Sequence, residues 1–221
     1  MDAAAPNPAR SRVVRNAAAI GLAVGAYGLS FGAAAVTAGL STLQACVLSL
    51  VAFTGASQFA LVGVLGAGGS AAAGVAGSLL LGSRNTLYGV RLSSLLGIQG
   101  PKRYLAAQVT IDETTAMSTA AAPEVRRVAF WATAASVYGL WNLSTLLGAL
   151  GAGAVNTSSL GLDAAVGAAF LALLAPQVRD RVGLRVALGG ALLAAAAIPL
   201  APAGVPVLIA GLAVLPAVLR R

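Results

Sequence analysis

Long apolar stretches separated by short clusters of arginine constrain this chain more than any other feature of its sequence. A helix needs about 20 residues to cross the hydrocarbon core of a bilayer, and apolar stretches of that order recur along the chain. Their residues do not alternate as they would in half-buried strands. Because a helix satisfies its own backbone N–H and C=O groups inside lipid, we predict an all-α protein, a polytopic bundle of membrane helices.

The charge content excludes most other classes of protein. Only 9% of the residues are charged and 58% are hydrophobic, whereas a soluble domain needs about a quarter of its residues charged. The net charge of +8 does not indicate nucleic-acid binding, since the arginines form no single basic face with aromatic residues between them. They lie between apolar stretches, as charges that orient a membrane protein do. With no histidine and one cysteine, we expect no metal, no cofactor, no disulfide and no enzyme activity.

The chain divides into a polar tail over residues 1–15 and a single transmembrane domain over residues 16–221. Segment 104–122 is only moderately apolar, and whether it crosses the membrane decides between seven and eight spans. Arginines before the first helix often dominate orientation, which favours eight spans with both termini inside. The remaining predicted spans are, in chain order, 16–39, 42–66, 71–96, 127–150, 160–176, 183–200 and 204–219.

Two sequence patterns concern the packing of these helices. Residues 27–29 and 138–140 both read Tyr-Gly-Leu and open similar stretches, which would fit an inverted internal repeat of the kind found in transporters. Chance likeness between Gly/Ala/Leu-rich helices explains them equally well. In the first span, Gly21, Gly25, Gly28 and Gly32 form a stripe that lets another helix approach closely. That helix could belong to this chain or to a partner.

Segment 53–59, Phe-Thr-Gly-Ala-Ser-Gln-Phe, is the most informative polar feature. Small, hydroxyl and amide residues in the middle of an apolar span predict a discontinuous helix whose free backbone groups could bind a substrate. A helix N-terminus attracts an anion and free carbonyls attract a cation, and an amino-acid zwitterion carries both charges. The alternative is simple helix packing, with Gln58 hydrogen-bonding between helices. The candidate substrate-binding residues here are Thr54, Gly55, Ala56, Ser57 and Gln58.

A second polar segment holds an arginine within the third predicted span. A guanidinium at membrane depth costs about 2.5–3.5 kcal/mol even on insertion scales, so Arg84 should face a cavity or a counter-ion. It could hold a substrate carboxylate in a bidentate contact, or pair with Asp112 or Glu113 and only hold the bundle together. Asn85 and Tyr88 are further candidate substrate-binding residues in this segment.

The adjacent acids Asp112 and Glu113 are candidates for ion or proton coupling. Neighbouring residues on a helix point about 100° apart, so we expect one carboxylate to face a cavity and the other a partner or the interface. The alternative is a pair of loop acids neutralised by nearby arginines. Asp163, near the start of a predicted span, is expected to be an N-cap or interfacial charge.

Together these segments resemble the AzlC family, the large subunit of bacterial branched-chain amino-acid exporters. The family's Gly-Ala-Ser-Gln-Phe segment stands at 55–59, its Arg-x-x-Leu-Tyr-Gly segment at 84–89, its Asp-Glu pair at 112–113 and its Trp-x-x-x-Thr-x-x-Gly-Ala run at 141–149. Order and spacing agree over about residues 20–215. The family has a histidine after the arginine where this chain has Asn85. If that histidine carries protons in relatives, this chain must use a carboxylate or another ion. If it only forms hydrogen bonds to substrate or backbone, asparagine can replace it.

The resemblance implies secondary export of valine, leucine, isoleucine and, as a further candidate, methionine across the bacterial inner membrane, coupled to protons or another ion. It also implies a small membrane subunit of the AzlD type as partner. Two alternatives stay open at this point: a permease or channel for another small solute, and a membrane scaffold subunit without transport of its own.

Overall fold

The computed structural model describes residues 8–154, 171, 174–175, 178–202 and 204–219. Within these residues the chain is helical. Single turns of 3₁₀-helix at Pro123–Val125 and Gly211–Val214 join some of the helices. In chain order the α-helices are α1 (Pro8–Thr37), α2 (Thr42–Val51), α3 (Ala56–Gly66), α4 (Ala71–Gly82), α5 (Arg84–Leu96), α6 (Lys102–Gln108), α7 (Asp112–Ala120), α8 (Arg126–Ala154), α9 (Arg181–Ala197), α10 (Val205–Ala210) and α11 (Leu215–Leu219).

The two longest helices, α1 and α8, pack side by side and run in the same direction. The glycine stripe of α1 makes this possible, because a Cβ at Gly28 would lie 2.6 Å from the Trp141 carbonyl oxygen. The facing pairs, in order along both helices, are Gly21 with Ser136, Gly25 with Leu140, Gly28 with Trp141 and Gly32 with Thr145. The stripe is therefore used within this chain. We call the end of the molecule where α1 and α8 begin the starting end, and the opposite one the far end.

Helices α2 and α3 form a hairpin that enters from the far end and returns to it. Helix α2 starts after a four-residue turn, residues 38–41, that follows the end of α1. It then reaches about half-way along α8, where the Tyr138 hydroxyl donates to the Leu50 carbonyl at 3.1 Å. Helix α3 returns, because a Cβ at Gly66 would lie 3.4 Å from the Cβ of Ala38, just after the end of α1. Segment 42–66 is therefore a hairpin of two half-length helices and not the single continuous helix expected of a span.

Helices α4 and α5 together run the full length of the molecule. Helix α4 packs antiparallel to α3, with the Ser78 hydroxyl donating to the Ser57 carbonyl at 2.9 Å. Helix α5 then continues to the starting end, where Arg127 of α8 donates to the Leu96 carbonyl at 2.8 Å. A break at Ser83 divides the two helices. The predicted span 71–96 thus consists of two helices joined at its middle.

Helices α6 and α7 form a second hairpin, which enters from the starting end. Gln108, the last residue of α6, reaches the tip of the first hairpin. Helix α7 then returns, since it ends at Ala120 and α8 begins at Arg126. The uncertain segment 104–122 is therefore a pair of half-length helices rather than one span. The tips of the two hairpins meet near the middle of the α1–α8 pair.

Among the last described helices, α10 lies against α4 and α9 packs on α10. Asp180 caps the start of α9 by accepting hydrogen bonds from the backbone N–H groups of Gly183 and Val182, both at 2.8 Å. These bonds, the Gly183 bond foremost, lower the pKa of the Asp180 carboxyl below its usual value. The predicted span 160–176 and Asp163 lie outside the described residues, apart from isolated positions in that span.

Other expectations differ from the structure in their boundaries. The first helix begins at Pro8, so the predicted tail is helical from residue 8 onward. Among the described helices, α1 is the one long and apolar enough to cross a membrane unaided. The two Tyr-Gly-Leu segments lie on parallel helices, which is the opposite of the orientation expected for an inverted repeat.

Candidate functional site

A cavity of about 90 Å³ lies where the two hairpin tips meet the middle of α1 and α8. Five separate parts of the fold contribute to it: α1, the α2–α3 tip, the α4–α5 break, the start of α7 and α8. Its lining residues are Val24, Tyr27, Phe53, Thr54, Gly55, Ala56, Phe59, Arg84, Ile111, Asp112, Glu113, Val137 and Trp141. The hairpins thus bring together polar residues that are up to about 60 positions apart in the sequence.

The carbonyl groups at the end of α2 are occupied by protein donors. Gln108 donates through Nε2 to the carbonyls of Leu50 and Val51, at 2.9 and 3.0 Å. Tyr138 also donates to Leu50, and the Thr54 hydroxyl donates to the Ala52 carbonyl at 3.3 Å. A helix C-terminus with free carbonyls could bind a cation, but these oxygens already accept hydrogen bonds. The C-terminal end of α2 therefore holds the two hairpins together and offers no free carbonyl of these residues to a cation.

The start of α3 is different, because it keeps free donors. Gly55 has φ of +62°, a conformation that glycine adopts readily and larger residues rarely do. Its N–H donates to Gln58 Oε1 at 3.1 Å. The next two N–H groups, of Ala56 and Ser57, have no acceptor among the described residues. Since the N-terminal end of a helix carries partial positive charge, this part of the cavity wall favours an anion.

Arg84, Asp112 and Tyr88 form a connected polar group on one side of the cavity. Arg84 Nη2 lies 2.7 Å from Asp112 Oδ2, and the Tyr88 hydroxyl donates to Asp112 Oδ1 at 2.6 Å. Arg84 Nε is buried and has no acceptor within the described part of the chain. The pairing with Asp112 was one of the two predicted arrangements. One face of the guanidinium stays available to a second anion.

Glu113 also lines the cavity but forms no ion pair with any described residue. Asp112 has both its oxygens occupied by Arg84 and Tyr88. Asp112 is therefore neutralised by Arg84. Glu113 remains free to interact with a cation or to take up a proton. We expected only one of the two acids to face the cavity, and the structure places both in its wall.

The rest of the wall is apolar and aromatic. Phe59 packs edge-on against Phe31 and Trp141, with ring centroids 5.6 and 6.3 Å apart. Trp141 is 3% exposed, and its Nε1 has no acceptor among the described residues. From the sequence alone, core packing is the better explanation of Trp141, and the Asn142 that follows it is the signal for a cavity residue.

The side chains of four predicted site residues lie outside the cavity wall. Gln58 is 1% exposed and ties α3 to α2 by donating to the Leu48 carbonyl at 3.3 Å. Ser57 faces α4, since a Cβ at Gly82 would lie 3.2 Å from its hydroxyl oxygen. Asn85 is half-buried beside Arg84. Tyr88 reaches the site through its bond to Asp112. That any of these residues binds substrate stays a prediction.

Comparison with known proteins gives one finding. The family described as AzlC protein matches residues 19–155 of the 221 residues. This range covers α1 from residue 19 onward, α2 to α8 and every residue of the cavity wall. It ends before the limit near residue 215 expected from the resemblance. No curated protein and no solved structure matches the chain.

Proposed function

This chain belongs to the AzlC family of membrane proteins, which is associated with branched-chain amino-acid transport, and on that premise we propose that it exports branched-chain amino acids from the bacterial cytoplasm. The observation that carries the proposal is the cavity at the meeting point of the two hairpins. It combines an anion-attracting helix start, an unpaired acid and an apolar wall within one cavity.

An amino-acid zwitterion fits this arrangement in one orientation. Its carboxylate would accept from the N–H groups of Ala56 and Ser57 and from Arg84 Nε. Its ammonium would face Glu113. A branched aliphatic side chain would then lie against Phe53, Phe59 and the other apolar residues of the wall. Valine, leucine and isoleucine share this chemistry, and methionine is a further candidate.

Coupling to a proton or another ion is proposed for Glu113 and Asp112. Glu113 is the stronger candidate because it lines the cavity without an ion-pair partner among the described residues. Asn85 occupies the position of the family's histidine, so a carboxylate is the available proton-binding group near Arg84. Asp112 contributes through its contact with Arg84, which would change if substrate drew the guanidinium away.

A partner subunit of the AzlD type is part of the proposal, since the AzlC family generally works with AzlD. The glycine stripe of α1 is not the surface for it, because that stripe packs against α8. The partner would therefore bind another face of the molecule.

The proposal is tested in cells that lack the protein and are fed dipeptides containing valine or leucine. We expect those amino acids to accumulate inside the cells, and the wild-type gene to restore their efflux. Normal intracellular levels in the deletion strain would refute the substrate assignment. Counterflow with a panel of labelled amino acids distinguishes a permease for another solute. Reconstitution with and without the small subunit distinguishes a scaffold, which gives no flux in either case.

A further inference from the structure

The cationic side chains that the structure describes are concentrated at one end of the molecule. The first two turns of α1 and the first turn of α8 both carry arginines, and these helices run in parallel. Helix α6 begins at the same end, because its predecessor α5 finishes beside Arg127. The cations placed at the starting end in this way are Arg10, Arg12, Arg15, Lys102, Arg103, Arg126 and Arg127.

The arginines of α9 point to the same end. Helix α10 runs beside α4 and in the same direction, with Gly204 near Ala73 and Val207 near Gly77. Helix α9 packs antiparallel to it, since a Cβ at Gly190 would lie 3.4 Å from the Ala210 carbonyl oxygen. The start of α9, with Arg179, Arg181 and Arg185, therefore lies toward the starting end.

The far end has the opposite character. It is formed by the turn between α1 and α2, residues 38–41, and by the turn between α3 and α4, residues 67–70. Neither turn contains a charged residue. Arg84 lies at mid-depth, where Asp112 pairs with it, and Arg91 lies on α5 between Arg84 and the starting end. In the described part of the chain, nearly all the cationic side chains therefore lie at the starting end or toward it.

We infer that the starting end is the cytoplasmic surface of the protein, set against the anionic lipid headgroups of the inner leaflet, and that the two hairpins enter the membrane from opposite sides without crossing it. Lys and Arg are retained on the cytoplasmic side of membrane proteins and attract anionic headgroups there. The inference requires the chain to be a membrane protein, as its family is, and does not depend on which solute it carries.

The inference lowers the number of membrane crossings expected for the first two thirds of the chain. Over residues 8–154 it leaves three crossings, α1, α4–α5 and α8, where the sequence predicted four or five. Non-helical backbone at membrane depth is tolerated only where it is buried in protein or lines a cavity. Both hairpin tips meet this condition, because Gly55 and Ile111 lie in the cavity wall. Between α1 and α8 the chain crosses once, through α4–α5, and this single return explains why α1 and α8 run in the same direction.

Single cysteines at four exposed positions test this arrangement in a Cys46→Ser background. Thr37→Cys and Ala67→Cys flank the first hairpin at the far end, and Gln99→Cys and Ala122→Cys flank the second at the starting end. A membrane-impermeant maleimide is added to intact protoplasts and, separately, to permeabilised ones. We expect Thr37→Cys and Ala67→Cys to react in both preparations, and the other two variants to react only after permeabilisation.

Each departure from this pattern overturns a defined part of the inference. Protection of only one of Thr37→Cys and Ala67→Cys in intact protoplasts would mean that segment 42–66 crosses the membrane. A similar split between Gln99→Cys and Ala122→Cys would mean that segment 102–120 crosses it. A fully reversed pattern would place the starting end outside. Because the readout is accessibility rather than transport, failure of the proposed substrate assignment would leave the labelling pattern unchanged.

Discussion

Arg84 at the break between α4 and α5 is paired with Asp112 at the first residue of α7, with Nη2 and Oδ2 2.7 Å apart. The pair joins a helix that runs the length of the molecule to the tip of a hairpin that enters from one end. It lies in the cavity wall, so any ligand that competes for the guanidinium also changes how the hairpin is held. A ligand bound to the Arg84 guanidinium would therefore also act on the position of the α6–α7 hairpin.

Arg84→Gln should weaken substrate binding by on the order of tenfold or more, because a hydrogen bond to a charged group contributes about 1.5–3 kcal/mol. The measurement is substrate affinity by counterflow in proteoliposomes. Arg91→Gln, an exposed arginine on the same helix, is the matched control and should retain near wild-type affinity. Equal losses in both variants would show that Arg84 has no specific role in binding.

Glu113→Gln should abolish the pH dependence of efflux while retaining substrate exchange in the absence of a proton gradient. The change removes the titratable group of the unpaired acid, and the glutamine side chain has nearly the same volume as glutamate. Efflux is measured from loaded vesicles over a series of external pH values. Glu124→Gln changes an exposed acid outside the cavity and serves as the control. An unaltered pH profile in both Glu113→Gln and Asp112→Asn would remove the two acids from the coupling role.

Trp141→Phe should lower substrate affinity, and it should also cost some stability because the smaller ring leaves a void at a buried position. A phenyl ring can still contact Phe31 and Phe59, but the variant loses the indole N–H, which has no described acceptor. The expected loss is about 1 kcal/mol, or roughly fivefold in affinity. Trp131→Phe, which packs on Phe130 away from the cavity, provides the comparison. Wild-type affinity in Trp141→Phe would show that the indole N–H makes no contact with substrate.

Gln108→Leu should destabilise the folded protein by about 1–3 kcal/mol, because it removes two hydrogen bonds between the hairpin tips and leaves carbonyls at the end of α2 without that donor. Thermal unfolding in detergent measures the effect. Gln99→Leu makes the same chemical change at an exposed position between α5 and α6 and should have little effect. If both variants unfold alike, the bonds made by Gln108 do not stabilise the contact between the hairpins.

Gly32→Ala should destabilise the α1–α8 pair by about 1–3 kcal/mol through overpacking, because its Cβ would overlap the Thr145 carbonyl oxygen. Gly139→Ala adds the same atom on α8 where nothing lies within 4 Å. Alanine is favoured over glycine within a helix by about 1 kcal/mol, so that variant should be neutral or stabilising. Equal melting temperatures would mean that the helices separate easily to accept the methyl group.

The polar interruptions of the sequence could be recognised because each breaks a local rule. Gly55 within an apolar stretch predicts the helix break that α2 and α3 show. Arg84 in a predicted span requires a counter-ion, and Asp112 supplies it. These predictions need only helix propensity and the cost of burying charge. Gln108 was missed as a site residue because an amide near a predicted span end breaks no such rule. Trp141 was assigned to the core in preference to a cavity wall because a tryptophan in an apolar helix breaks none either.

The sequence by itself determined that the chain is helical, belongs in a membrane, is interrupted near Gly55 and resembles the AzlC family. Only the tertiary structure decided that segment 42–66 doubles back, that α1 and α8 are parallel, and that Glu113 rather than Asp112 is left unpaired. The physical reason is that hydropathy and glycine spacing are the same for one long helix and for two half-length helices in a hairpin. The direction of the second half is set by the surfaces it packs against, which lie far away in the sequence.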